Sequence, residues 1–169
     1  MAFEAALEED VLEDDPTTSA EDSIPTFHGY SASGNVTAPV VFVNGGTYQD
    51  FEDLVKANVS LKGKIGIAKY GGIFRGLKIK RAQELGMVGV LLYDDPGSDG
   101  TQTEANGYKQ YPEGPARQAS SVQRGTYAVM SRESIPPLFS PSLVFLVLMK
   151  QYTNTTNNRK RSVSQFCAG

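Results

Sequence analysis

The segment Tyr70-Gly71-Gly72-Ile73-Phe74-Arg75-Gly76 concentrates the residues of this chain best suited to chemistry. Paired glycines let a backbone turn sharply, and a turn that feeds a helix sets Arg75 beside the unpaired N–H groups of that helix's first turn. Both features favour an anion, and a guanidinium can grip a carboxylate bidentately. The plainer reading leaves Arg75 on a solvated face. A nucleotide loop is excluded by spacing, because neither the Gly-Lys-Ser/Thr ending of a P-loop nor Gly-x-Gly-x-x-Gly occurs here. Lys78, Lys80 and Arg81 extend Arg75 into a basic patch on one helix. Because the formal net charge is -3 and the helix also has an apolar face, that patch reads as a solvated face, with no nucleic acid as partner.

Other candidates fall to counting. The chain has one His and one Cys. Zinc sites of the usual Cys/His kinds need three or four such ligands and a disulfide needs two cysteines, so neither forms within one copy. Only a carboxylate-rich metal site survives that count, and the carboxylate pair Asp94-Asp95 precedes Pro96-Gly97 and reads as turn support. No Gly-x-Ser-x-Gly elbow accompanies His28, which reads as a turn or surface residue. No catalytic and no metal-binding residue is therefore assigned. Asn35-Val36-Thr37, Asn58-Val59-Ser60 and Asn154-Thr155-Thr156 are sequons, which makes Asn35, Asn58 and Asn154 candidate N-glycosylation sites.

The elements that must position Arg75 can be read from periodicity. Residues 39–44 are a short β-branched run ended by Gly45-Gly46, which predicts a buried strand. Thr47 with Asp50 three residues on predicts a helix start, with Phe51, Leu54 and Val55 on one face and an end near Asn58. Residues 65–70 predict a second strand, and a second helix follows over about 77–85 with Ile79, Ala82 and Leu85 inward and Gly86 as its stop. Residues 87–93 predict a third strand. The alternation implies crossover connections, a partly parallel sheet, and an α+β (mixed α/β) class. Residues 98–125 form a long polar loop rich in Gly, Pro and Tyr.

Charge is distributed unevenly across the 169 residues. Residues 1–55 carry a formal charge of -12 and residues 56–169 carry +9, with Lys56 the first basic residue. Nine acidic residues lie between Glu4 and Asp22, so residues 1–24 read as an acidic, largely disordered leader. The alternative is a strap lying over the basic part of the chain or over a partner. No basic and apolar pattern of a secretory signal is present in the first twenty residues.

The stretches Ser31-Ala32-Ser33-Gly34-Asn35-Val36-Thr37-Ala38-Pro39, Leu61-Lys62-Gly63-Lys64-Ile65 and Ala68-Lys69-Tyr70-Gly71-Gly72-Ile73-Phe74-Arg75-Gly76 resemble the protease-associated (PA) domain of the glutamate carboxypeptidase II and transferrin-receptor-like group of M28 metallopeptidases. The resemblance continues through Asp95-Pro96, Tyr111-Pro112 and Val122-Gln123-Arg124-Gly125, over residues 25–125, and is closest to fungal members. It implies a PA-domain fold, a mixed β-sandwich or open barrel flanked by helices, acting as a non-catalytic substrate lid or interaction domain. By the same resemblance Arg75 contacts the carboxylate of a glutamate-like substrate residue and Phe74 shapes that pocket. Thr126 stands where the family commonly has an Asn that lines it. Zinc and calcium belong to full-length relatives, and no cofactor is expected in this chain. The implied partners are a peptidase domain or a peptide with an acidic C-terminus, and the family's full-length members are homodimers, membrane-anchored with a lumenal or extracellular ectodomain. A stand-alone module that binds an acidic peptide is the alternative. Residues 126–169 depart from the family pattern and read as translated intron or a shifted frame. Within them Leu143-Val144-Phe145-Leu146-Val147-Leu148-Met149 is too short to span a bilayer and reads as a strand in search of a partner.

Overall fold

A computed structural model describes residues 8–24, 28–29, 34–121, 123, 125–126, 144–147 and 162–163. Five strands form one sheet in the order β6-β4-β3-β2-β7. Strands β2 (Ala38–Phe42), β3 (Ile65–Lys69), β4 (Gly89–Tyr93) and β6 (Val144–Val147) run parallel, and β7 (Ser162–Val163) pairs antiparallel with β2. A separate parallel pair joins β1 (His28–Gly29) to β5 (Gly125–Thr126), with His28 opposite Gly125 and Gly29 opposite Thr126. The apolar run expected to seek a partner finds one in part: β6 lies along β4, from Gly89 opposite Val144 to Leu92 opposite Val147.

Two crossovers join the central strands. Helix α1 (Tyr48–Lys56) links β2 to β3 and helix α2 (Arg75–Glu84) links β3 to β4. Both crossovers step the same way across the sheet, so with one handedness both helices fall on one face, where they touch each other. The core between them and the sheet comprises Val43, Phe51, Leu61, Ala68, Ile79, Ala82, Met87, Val90 and Leu92. The opposite face buries Ala38, Ile65 and Leu91. Alternation along β4 explains the division, since Val90 and Leu92 point to the helices while Leu91 points away.

Helix α1 starts where Thr47 and Asp50 predict. The Asp50 N–H donates to Thr47 Oγ1 at 3.1 Å, and the Thr47 N–H donates to Asp50 Oδ2 at 2.9 Å, a reciprocal capping box. Helix α2 starts two residues earlier than periodicity suggests, at Arg75, with Phe74 as an N-cap that offers no side-chain hydrogen bond. Gly76 conceals that start, because a glycine in the first turn weakens the helical signal while its missing side chain suits its buried position.

Within residues 8–24 the acidic leader makes local turns and two of its aspartates reach the rest of the chain. A 3-10 turn at Pro16–Ser19 is capped by Asp15, which accepts from the Thr17 N–H at 3.0 Å. The Asp10 N–H donates to Ser120 Oγ at 2.7 Å, and the Tyr111 hydroxyl donates to Asp15 Oδ2 at 2.8 Å. Asp10 and Asp15 of the leader thus hydrogen-bond to the 110–120 loop. Among the described residues no helix is long and apolar enough to cross a membrane.

The capping box yields a direct test of this local reading. Thr47→Ala removes the side-chain half of the box, and urea denaturation should show a loss of about 1 kcal/mol with an unchanged m-value.

Candidate functional site

The site is built at the end of β3. The Tyr70 N–H still donates to the Tyr93 carbonyl at 2.8 Å, after which Gly71 and Gly72 take φ of 86° and 77°. Two successive left-handed residues reverse the chain at little steric cost only when both are glycine. The turn delivers Ile73 and Phe74 and then Arg75, the first residue of α2.

Arg75 is held in a defined surround. Its guanidinium lies over the Tyr70 ring, 5.3 Å from the centroid. A Cβ added at Gly125 would sit 2.9 Å from Arg75 Nη1, so the guanidinium packs against a backbone position that only glycine leaves open. Gly125 precedes Thr126 in β5, which brings the backbone of the sequence-predicted Thr126 next to the arginine's neighbour. The Thr126 and His28 side chains lie outside the described residues. Phe74, just before the arginine in the chain, is about half exposed at 47%, and Leu77, two residues after it, at 45%.

Electrostatics bind Tyr70, Arg75 and Asp94 into one group. Burial pushes the Tyr70 phenol up to about 12, against the pull of Arg75 and with a further push from Asp94. Its hydroxyl is buried and accepts or donates no hydrogen bond among the described residues. Burial also raises the Asp94 carboxyl above its ordinary value, helped by Asp99 and opposed by Arg117 and Arg75. Asp95 does the turn work that the sequence assigns to the pair, accepting from the Gly97 N–H at 3.0 Å and from Lys69 Nζ at 2.6 Å.

The expected basic patch does not exist as a surface. Lys78 is fully buried and donates from Nζ to the carbonyls of Lys69 and Gly71, each at 2.6 Å. Arg81 pairs with Glu52 and with Glu84, and its guanidinium lies 4.5 Å from the centroid of the Tyr48 ring. Lys80 alone of the four extends on an exposed face without a described role. Lys78 was legible in principle: at i, i+4 and i+7 it shares the inward stripe of Ala82 and Leu85, but its charge argues for solvent. Tyr70 opens the segment singled out in the sequence and Asp94 belongs to its carboxylate pair, but only the fold shows the Tyr70 ring under the Arg75 guanidinium and Asp94 within reach of its charge.

Of the sequon residues, Asn35 and Asn58 are exposed, and Asn58 takes φ of 58° just beyond α1. Asn154 lies outside the described residues. Among the described residues no three His, Cys, Asp or Glu side chains gather to hold a metal ion.

A family model described as the PA domain matches residues 36–129. A probable glutamate carboxypeptidase of Arthroderma benhamiae is 58% identical over 129 residues, covering 76% of this chain and 18% of the relative. Vacuolar protein sorting-associated protein 70 of Saccharomyces cerevisiae is 42% identical over 124 residues, covering 73% and 15%. A glutamate carboxypeptidase 2 homolog of Caenorhabditis elegans is 34% identical over 113 residues, covering 65% and 14%. The chain spans less than a fifth of the length of each of these relatives.

Asp94 supplies a pH test. Its folded pKa is raised, so the folded state holds the proton more tightly, and that contribution is present at low pH and lost as pH rises through the raised value. Asp94→Asn should therefore melt higher than wild type near neutral pH, and the difference should close as pH falls toward the ordinary 3.8. Thermal melts across that range read it directly; a pH-independent difference would contradict the assignment.

Proposed function

We infer the function from one premise: the chain belongs to the PA domain family. It is a protease-associated domain of the kind found in glutamate carboxypeptidase-like proteins, and no peptidase domain is evident in it. From this we propose that it is the non-catalytic PA part of a glutamate carboxypeptidase-like zinc peptidase, where it covers the substrate path and contacts the substrate's acidic end. The observation that carries the reading is Arg75, set at the first position of α2 by a double-glycine turn, laid over Tyr70 and bordered by Phe74. That arrangement suits a carboxylate: a fork of N–H donors, N–H groups at a helix start that no side chain caps, and an exposed aromatic ring next to it in the chain. A stand-alone module for acidic peptides would use the same arginine.

The purified chain, titrated calorimetrically with a peptide ending in glutamate, should bind it more tightly than the doubly amidated form of that peptide. Arg75→Ala should lower affinity for the acid about tenfold to a hundredfold, the worth of charge-assisted hydrogen bonds, while leaving the amide unaffected. Supplied with zinc and an acidic dipeptide, the chain should release no glutamate. Equal affinity for acid and amide, or turnover, would refute the proposal.

A further inference from the structure

We propose that Lys78 is a positioning residue for Arg75: its buried ammonium clasps the two carbonyls that flank Tyr70 and thereby fixes the arginine's support and the start of its helix in one piece. The inference rests on the carboxylate-binding reading of Arg75. Lys78 lies one turn beyond Arg75 in α2, and helical side chains lean toward the helix N-terminus. Its stem therefore runs back toward the glycine turn. It passes over Gly46, where an added Cβ would lie 3.1 Å from Lys78 Cδ and 3.2 Å from Ala68 Cβ, and where φ is 61°. Gly46 thus keeps a channel open for the lysine.

At the end of that channel Nζ meets Lys69 O and Gly71 O, both at 2.6 Å. These carbonyls stand on either side of Tyr70, whose ring lies under the Arg75 guanidinium. One ammonium therefore ties the ring's backbone to the helix that carries the arginine. The Asp50 carboxylate, itself fixed by Asn44 at 2.9 Å and by Thr47, adds a favourable field. An apolar side chain of the same length would fill the channel but leave two carbonyls unpaired at the turn. The consequence is a turn free to drift and an arginine without a fixed platform.

The test uses the full chain with Lys78→Met. Near-UV circular dichroism and the backbone amide spectrum establish that the variant keeps its fold. The first readout needs no ligand: 15N relaxation of the Arg75 Nε–Hε group, which wild type should show as ordered and the variant as averaged like a surface arginine. The second is the ratio of affinities for a glutamate-ended peptide and its amide, which should fall toward one in Lys78→Met. Should Lys78→Met fail to fold, Lys78→Gln, with a donor for one carbonyl, should show both effects in weaker form. An ordered Arg75 side chain and an undiminished ratio in a folded variant would overturn the proposal, as would an averaged Arg75 in wild type. If wild type shows no preference for the acid, the carboxylate reading fails, while the relaxation measurement still decides the role of Lys78.

Discussion

A lysine ammonium buried against two main-chain carbonyls sets the terms for the rest of this structure. Burying a charge is costly unless hydrogen bonds and opposite charge compensate it. Lys78 receives both: two short bonds to Lys69 O and Gly71 O, and the field of Asp50 from the first turn of α1. Burial still lowers its proton affinity below that of a free lysine. The compensation draws in residues far apart in sequence. Gly46 must lack a Cβ for the stem to pass, Thr47 and Asn44 must orient Asp50, and Gly71 must turn so that its carbonyl faces inward. Loss of the Lys69 or Gly71 carbonyl from this geometry would leave the Lys78 ammonium short of a hydrogen-bond partner.

The same economy explains why a basic segment yields so little basic surface. Arg75 lies on an aromatic ring, Lys78 on carbonyls, and Arg81 between Glu52 and Glu84. Each cation is held by a partner that directs it, and Arg75 is the one set beside exposed apolar residues at a helix start. A site for one carboxylate fits that arrangement far better than a polyanion surface, which needs several cations facing the same way. Burial raises the carboxyl pKa of the nearby half-buried Asp94, and the positive field of Arg117 and Arg75 opposes that rise.

Much of the framework was legible because it is local. The strands β2, β3 and β4 declare themselves by short β-branched runs between turn residues, and α1 by the Thr47–Asp50 box, since period and capping act over a few residues. Gly71-Gly72 announced the turn for the same reason. What escaped was non-local. The docking of Asp10 and Asp15 on the 110–120 loop joins residues about a hundred positions apart, and β6 completes the sheet from beyond a long stretch of chain. Lys78 was misread because residue type outweighed helical phase. Tyr70, Asp94 and Gly125 meet Arg75 only once β3, β4 and β5 are in place.

The Arg75 site depends on Lys78 being charged, buried and bonded. The most direct measurement is 15N-edited NMR of lysine ammonium groups in the uniformly labelled chain. Lys78 should give a distinct, slowly exchanging Nζ–H signal near neutral pH, with nuclear Overhauser contacts to Gly71 and Gly46, while exposed Lys80 exchanges too fast to be seen. A Lys78 ammonium that exchanges as fast as Lys80 and shows no contact to the glycine turn would contradict the account.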